Sequence, residues 1–236
     1  MVGTVTTIAD QVFAEIRKAI VEGEIPQGSK ISEPELARRF GISRGPLREA
    51  MGRLESSNLV QRRPNVGARV ITLSYEQLLE IFHVREALEG MAARLAARHM
   101  SDDEIAGLRA LLMEHRRQVE RDDAQAYLRR EGDLDFHYRI VDGCRNSRLQ
   151  GLLCNDLYHL VRMYRCQFRM ASPRARRALD EHSHIADAIE GRDGELAEIL
   201  MRRHIRASRK NVEQRLSEDR AMSTRPEDVP REAEPA

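Results

Sequence analysis

The chain of 236 residues contains no tryptophan, and aromatic residues make up only 4% of it. Without large rings, a hydrophobic core must be built mainly from leucine, alanine, isoleucine and valine, a composition that suits helices. No apolar run approaches the 18 residues that indicate a membrane-spanning helix. The sequence also lacks a basic start followed by an apolar segment, so we expect no signal peptide and a cytoplasmic protein.

Cysteine is scarce as well. Cys144, Cys154 and Cys166 are odd in number, and no two of them form a CxxC pair. Their spacing therefore argues against a disulfide framework, and we expect three reduced thiols.

The chain has almost no net charge, because 39 Lys and Arg nearly balance 38 Asp and Glu to give +1, but the charges are unevenly distributed. Residues 1–72 hold eleven Lys and Arg against eight Asp and Glu. Within 38–69 there are eight arginines and only two acidic residues. A local basic excess of this kind is typical of a nucleic-acid-binding face, although an arginine-rich solvated helix is the alternative.

The first 72 residues have the pattern of a helix-turn-helix. Residues 8–22 carry apolar side chains at four-residue intervals, which predicts an amphipathic helix. Ser32 and Glu35 have the spacing of a capping box, opening a short helix that Gly41 ends. Ser43 then caps a second helix.

Two short β-prone runs follow this pair of helices. They are separated by 64–67, where proline, asparagine and glycine indicate a turn, so the pattern predicts a two-stranded wing. We therefore assign 1–72 to a winged helix-turn-helix domain.

Long helical patterns dominate the remainder of the chain. The predicted helices cover about 75–99, 102–121, 124–142, 147–170, 174–190 and 194–216, with capping boxes at Ser74/Gln77, Ser101/Glu104 and Ser147/Gln150. Short connections favour antiparallel neighbours, hence a helical bundle over 73–216. Residues 217–236 are polar and contain proline, which predicts a disordered tail. The fold class is mainly α, with the winged domain preceding an antiparallel α-helical bundle.

The second helix of the winged domain carries the candidate base-reading residues. A helix fits the major groove, and its N-terminal turn can reach base edges. Arg44 and Arg48 are four residues apart and share one face. Arginine can bind a guanine edge bidentately or clamp a phosphate. The alternative is a surface salt bridge to Glu49 or Glu55, which two arginines on one face disfavour.

Residues 8–72 resemble the GntR superfamily of bacterial transcription regulators. The residues that carry the resemblance are Glu35-Leu36-Ala37, Phe40-Gly41-Ile42-Ser43-Arg44, Pro46-Leu47-Arg48-Glu49-Ala50, Arg53-Leu54, Leu59-Val60 and Pro64-Asn65-Val66-Gly67-Ala68-Arg69-Val70. The resemblance implies sequence-specific DNA binding, with the wing tip approaching the minor groove. The contacts that it implies are Ser43, Arg44, Gly45, Arg48 and, on the wing, Gly67.

The second half resembles the all-helical, FCD-type ligand-binding domain of the FadR-like branch of this superfamily. The matching residues are Val84-Arg85-Glu86, Leu88-Glu89, Asp133, Phe136-His137, Glu181-His182, Ala188-Ile189 and His204. In many members an aspartate and three histidines bind a divalent metal inside the bundle. The resemblance implies the same role here for Asp133, His137, His182 and His204.

Spacing supports the same four ligands independently. Asp133 and His137 are four residues apart on one helix face. His182 and His204 lie on helices joined near residue 192, roughly 15 and 18 Å from that turn, so they are nearly level in an antiparallel pair. One carboxylate with several imidazoles suits zinc, with nickel and manganese as alternatives. His184, two residues from His182, points to another side and is a poor ligand.

A metal in a helical cavity would suit a small organic acid whose carboxylate completes the coordination sphere. Arg85 and Arg162 are candidate carboxylate clamps, because arginine can bind a carboxylate bidentately. Salt bridging on the bundle surface is the alternative for each. For His159 two roles are open: it could line the same cavity from a neighbouring helix, or it could be structural.

Together with the resemblance, these patterns predict a homodimeric transcription regulator that reads a palindromic operator on double-stranded DNA. Its operator affinity would respond to a small carboxylate metabolite. The resemblance implies repression as the default. We identify no catalytic residues and predict no enzyme, because no general-base pair accompanies the metal ligands. The alternatives are a sensor of the metal itself, a metal-dependent hydrolase and a fatty-acyl sensor, and the intact metal set disfavours the last.

Overall fold

The computed structural model describes residues 7–63, 67–121, 132–167 and 175–223. Its elements are α1 (Ile8–Glu22), β1 (Lys30–Ile31), α2 (Glu33–Phe40), α3 (Arg44–Ser56), β2 (Val60–Arg63), β3 (Gly67–Val70), α4 (Tyr75–His99), α5 (Asp102–Arg121), α6 (Gly132–Gly143), α7 (Ser147–Gln150), the π-helical segment π1 (Gly151–Leu157), α8 (Tyr158–Gln167), α9 (Ala175–Glu190) and α10 (Gly194–Ser223). The predicted fold class is confirmed: a winged helix-turn-helix precedes a helical bundle. No helix in the described ranges is long and apolar enough to cross a membrane.

The N-terminal domain is organised around the contact between α1 and α3. Thr7 begins α1 with a capping box to Asp10 that the sequence analysis did not predict, and Gly23 ends it in the left-handed region at φ 85°. The apolar positions at four-residue spacing, with the exception of the exposed Ile8, form the buried face of α1. The helical pattern thus determines which side of α1 meets α3.

The wing contains one strand more than the two predicted. The sheet order is β1-β3-β2, and β1 pairs antiparallel with β3 through Lys30↔Arg69 and Ile31↔Ala68. A two-residue strand is too short for the apolar alternation that identifies strands in a sequence. Its pairing with β3, more than 35 residues further along the chain, defines it as a strand, and Ile31 is buried in the core. Of the turn predicted at 64–67, residues 64–66 lie outside the described residues.

The bundle begins where the sequence predicted. The bounds of α4 and α5 match 75–99 and 102–121, and the capping boxes at Ser74 and Ser101 are both formed. Helix α4 packs along α10, α9 packs against α5 and α10, and α6 packs against α4. The centre of the bundle therefore lies between α4, α6, α9 and α10.

Two predicted capping boxes are wrong. The Ser32 side chain makes no capping hydrogen bond, although the residue does precede α2. Asn146 rather than Ser147 caps α7, because its Oδ1 accepts hydrogen bonds from the backbone N–H groups of Arg148 and Leu149. An asparagine one residue earlier can satisfy these donors as well as a serine can, and it occupies the cap here.

Several helix bounds differ from their predictions. The helix predicted at 147–170 is divided by π1, and residues 168–174 lie outside the described part, as do 124–131 of the helix predicted before it. Helix α10 continues to Ser223, so the predicted disordered tail from 217 starts too early. Residues 217–223 contain neither proline nor glycine, and the first helix-breaking residue is Pro226. Residues 224–236 are not among those described.

Candidate DNA interface and candidate metal centre

Helix α3 presents two arginines on its exposed face. Arg44 is its first residue, Arg48 lies one turn further on, and both are exposed. The opposite face is buried in the domain core and consists of Leu47, Ala50, Met51 and Leu54. Among the described residues neither arginine forms an ion pair, whereas Glu55 contacts Arg62. Both guanidinium groups are therefore available to a ligand.

The start of α3 is an open surface. Ser43 is the N-cap residue in extended conformation, and its exposed side chain makes no capping hydrogen bond. A Cβ added at Gly45 would meet nothing within 4 Å. Backbone N–H groups at such a helix start favour phosphate, so the geometry suits close approach of a nucleic-acid backbone.

Arg53 fastens α3 to α1. Its Nη1 lies 2.5 Å from Asp10 Oδ1, and its guanidinium carbon stands 4.3 Å from the centroid of the Phe13 ring. The backbone N–H and hydroxyl of Thr7, followed by Arg53, lower the pKa of Asp10 to about 2. Asp10 is therefore ionised at neutral pH, and its ion pair with Arg53 links α3 to the start of α1.

Gly67 opens strand β3 at the wing. Its φ of 95° lies in the left-handed region that favours glycine, and the residue is exposed. It pairs across the hairpin with Arg63, which is exposed as well. Arg69 donates a hydrogen bond of 2.8 Å to the carbonyl of Gly28, which ties the wing to the loop before β1.

Three histidines from three different helices meet in the bundle. His137 lies on α6, His182 on α9 and His204 on α10, and all three are buried. One nitrogen from each lies within 4.8 Å of the others. The Nε2 atoms of His182 and His204 face each other at 3.2 Å, and the ring of Phe136 stacks on His182 with a centroid separation of 4.0 Å.

Two carboxylates orient these rings. His137 Nδ1 lies 2.5 Å from Glu89 Oε2, and His204 Nδ1 lies 2.7 Å from Glu181 Oε2. A carboxylate that accepts a hydrogen bond from Nδ1–H leaves the Nε2 lone pair for another partner, which is the usual arrangement behind metal-binding histidines. This donor set fits a divalent transition metal.

Glu89 is held ionised although it is fully buried. Burial raises its pKa, but the charges of Arg85 and His137 together with their hydrogen bonds outweigh that effect and lower the pKa to about 2. Arg85 Nε lies 2.6 Å from Glu89 Oε1, and the guanidinium carbon is 5.3 Å from the Phe82 ring centroid. Removing either partner would leave the other as a buried charge, which typically destabilises a protein by about 3–5 kcal/mol.

The predicted ligands are only partly brought together in the described part of the chain. His137, His182 and His204 form one cluster, while Asp133 lies on α6 one turn before His137, and its side chain lies outside the described residues. His184 is exposed on α9, in agreement with its predicted orientation away from the cluster.

The two candidate carboxylate clamps lie in different places. Arg85 adjoins the histidine cluster through Glu89, whereas Arg162 faces α1, with Nη2 3.5 Å from Glu22 Oε1. His159 also faces α1, and its Nε2 accepts a hydrogen bond of 3.2 Å from Arg17 Nη1. Arg17, Glu22, His159 and Arg162 line a groove of about 680 Å³ between the two domains, to which Asp135 also contributes.

We expect His159→Gln to flatten the pH dependence of stability. Burial, followed by the charges of Arg17 and Arg162, lowers the pKa of His159 from 6.5 to about 4. Between these values the unfolded chain binds a proton that the folded chain does not, so stability falls as the pH drops. From pH 7 to pH 5 this loss amounts to about 2 kcal/mol for the wild type.

Urea denaturation at both pH values measures this difference in unfolding free energy. His184→Gln, at an exposed position, should keep the wild-type dependence. An equal loss between pH 7 and pH 5 in wild type and His159→Gln would contradict the assignment.

Glu89 and Glu181 were not predicted as site residues. Glu89 is four residues after Arg85, and Glu181 immediately precedes His182, so a search for carboxylates next to the predicted ligands and clamps could have found both. Which histidine each carboxylate orients depends on how α4, α6, α9 and α10 pack, and spacing within one helix contains no such information.

Comparison with known families assigns both halves of the chain. Residues 8–70 match the family described as "Bacterial regulatory proteins, gntR family", and residues 80–207 match the FCD domain. The match to the FCD domain alone covers more than half of the chain. The two matched ranges follow the order of the winged domain and the bundle.

Relatives align over most of their length. A Paenarthrobacter nicotinovorans protein named "Probable D-xylose utilization operon transcriptional repressor" is 32% identical over 209 residues, covering 86% of this chain and 88% of that protein. The HTH-type transcriptional repressor RspR of Escherichia coli (strain K12) is 29% identical over 208 residues, covering 88% and 90%. The solved structure of E. coli McbR/YncC shares the fold, with a TM-score of 0.72 at 20% identity over 89% of this chain and 99% of that one. The chain therefore belongs to the GntR family of bacterial transcriptional regulators and carries a C-terminal FCD domain.

Proposed function

We propose that this protein is a homodimeric repressor whose affinity for a palindromic operator is modulated by a small organic acid bound at a metal site. The metal ligands are Asp133, His137, His182 and His204. The observation that carries the proposal is the convergence of three buried imidazoles from three helices. Burying three imidazoles side by side in a helical core costs free energy, and a shared ligand would offset that cost.

Zinc is the ion that we assign to the site, with nickel and manganese as alternatives. At zinc–nitrogen distances of about 2.05 Å, the nitrogens of two neighbouring ligands would be about 2.9–3.3 Å apart, and a coordination number above four would leave a position for an effector beside the four protein ligands. The separation of 3.2 Å between His182 Nε2 and His204 Nε2 falls in this range. A bound ion would supply a Lewis acid for an effector carboxylate, with Arg85 proposed as an additional clamp beside it.

Operator recognition is assigned to the exposed end of α3 and to the wing. Arg44 and Arg48 would read base edges, Ser43 and Gly45 would lie against the phosphate backbone, and Gly67 would approach the minor groove. The exposure of both arginines and the open surface around Gly45 support these roles.

A contiguous set of contacts offers a route from the bundle to α3. Tyr158 borders His137, and the next residue, His159, accepts a hydrogen bond from Arg17 of α1. The Arg17 guanidinium carbon lies 5.1 Å from the Phe13 ring centroid, and Arg53 of α3 stands over the same ring. A change at the histidine cluster that moves α8 could therefore shift α3, the helix that carries Arg44 and Arg48.

Exposed apolar side chains on the bundle support a dimer. Val84 and Met91, seven residues apart on α4, share one face of that helix and are 47% and 41% exposed. Leu196 and Ile199 on α10 are likewise exposed. Apolar residues at heptad spacing favour helix–helix association, and a two-fold dimer would set the spacing of two half-sites.

Native mass spectrometry of the purified protein, combined with operator titrations, tests the proposal. We expect a dimer mass, one bound metal ion per chain and a co-purified acid, and we expect added carboxylate to weaken operator binding by the metal-loaded protein. If metal alone changes operator affinity and no acid does, the ion itself is the signal. Sustained hydrolytic turnover by the metal-loaded protein would replace the regulatory assignment of the site by an enzymatic one.

A further inference from the structure

Tyr158 lies at the edge of the histidine cluster. It is the first residue of α8 and is fully buried. Its ring centroid is 6.4 Å from that of His137, and the Arg85 guanidinium carbon is 5.5 Å from the Tyr158 ring centroid. A second tyrosine, Tyr138, packs edge-on against it at 4.9 Å. Tyr158 thus shares one buried region with a candidate metal ligand and a candidate carboxylate clamp.

The hydroxyl of Tyr158 is buried and has no hydrogen-bond partner in the described part of the chain. A buried hydroxyl without a partner destabilises the fold, and phenylalanine would fill the same space without that penalty. An unsatisfied buried donor in an otherwise packed core calls for a specific explanation. A ligand that brings an oxygen acceptor into the cluster provides one.

The backbone before Tyr158 is unusual as well. The π-helical segment Gly151–Leu157 ends immediately before it. Such segments are rare and occur often at functional sites. The two residues that follow it, Tyr158 and His159, lie on different sides of α8 and contact the histidine cluster and α1 respectively.

We infer that the Tyr158 hydroxyl donates a hydrogen bond to the bound effector, and that the effector is an acid with a second oxygen beyond its metal-binding carboxylate. This inference rests on the proposed function of the site. The metal and Arg85 are already assigned to the carboxylate, so Tyr158 serves a hydroxyl or a second carboxylate. The effector class narrows from carboxylates in general to hydroxy acids and dicarboxylic acids.

The test compares matched acids by calorimetric titration of the zinc-loaded dimer. The probes are L-lactate against propionate, and succinate against butyrate, since the members of each pair differ in the second polar group. We expect the wild type to prefer at least one oxygenated acid by about tenfold, and Tyr158→Phe to remove that preference. Affinity for propionate, for butyrate and for zinc should change less than twofold.

Tyr164→Phe is the matched control, because Tyr164 is a buried tyrosine on the same helix whose ring packs against Tyr75 instead. It should keep the wild-type preference. Thermal unfolding of the metal-free proteins should give Tyr158→Phe a midpoint at or above that of the wild type, which excludes misfolding as the cause of lost binding.

The outcomes separate this inference from the proposed function. If Tyr158→Phe keeps the wild-type preference, or if the wild type has no preference, the role of Tyr158 is overturned while the metal site and a carboxylate effector stand. If the zinc-loaded wild type binds none of the four acids, the proposed effector class fails, and the role of Tyr158 fails with it.

Discussion

Replacing Arg44 and Arg48 together by alanine is expected to weaken operator binding at least thirtyfold at fixed salt. Loss of a bidentate base contact amounts to about 1–3 kcal/mol, and about 1.4 kcal/mol corresponds to a factor of ten in affinity. Both side chains are exposed on α3 and lie outside the domain core, so the variant should keep the stability of the wild type. An operator is first selected from random DNA, and the affinity of each variant for it is then measured by fluorescence anisotropy.

Arg117→Ala is the matched control for this experiment. Arg117 is also an exposed helical arginine, but it lies on α5 of the bundle, where it contacts Glu114. It should leave operator affinity unchanged. If operator affinity falls by no more than a few-fold in the Arg44 and Arg48 double variant, neither residue has the proposed role in reading the operator.

The single variants distinguish the two possible roles of each arginine. An arginine that reads a base should relax specificity at one operator position when it is replaced. Replacing an arginine that clamps phosphate should weaken binding to all sequences. It should also reduce the slope of log affinity against log salt concentration by about one.

His182→Ala is expected to abolish metal binding at physiological concentrations. Loss of an outer partner of a metal ligand already lowers affinity roughly 10–100-fold, and a ligand should contribute more. Saturating zinc should raise the unfolding midpoint of the wild type, because ligand at about 100 times Kd stabilises a protein by about 2.7 kcal/mol. In His182→Ala this increase should disappear.

His184→Ala provides the comparison for His182→Ala on the same helix. His184 is only two residues away, but it is exposed, whereas His182 is buried against Phe136. Zinc should therefore stabilise His184→Ala as much as the wild type. Equal stabilisation of His182→Ala would exclude His182 as a ligand. Metal-free unfolding of both variants separates a loss of metal binding from a loss of fold.

Local patterns predicted those features that depend on short stretches of chain. The bounds of α4 and α5 and the capping boxes at Ser74 and Ser101 follow from nearby residues, because helix periodicity and capping act over one or two turns. The exposed face of α3 follows from the same periodicity. Strand β1 was missed because its formation depends on pairing with β3, which is distant in sequence.

In the candidate metal site too, some features follow from the sequence and others only from the tertiary structure. Spacing grouped His182 with His204 because both lie on helices joined by one short turn, and the structure brings these two rings together with His137. The roles of Glu89 and Glu181 as partners of His137 and His204 came only from the structure. Likewise Arg162 faces Glu22 on α1, although the sequence grouped it with Arg85 as a clamp for the effector.

The sequence by itself determined the family, the order of the two domains and which three histidines form the buried cluster. Motifs and helix periods are properties of neighbouring residues, so they can be read without the tertiary structure. The tertiary structure decided which side chains are buried together: Glu89 with Arg85 and His137, Tyr158 beside them, and His159 against Arg17. These contacts join residues up to 142 positions apart. Their geometry depends on how the helices pack and on the π-helical segment before Tyr158, and no local pattern in the chain specifies either one.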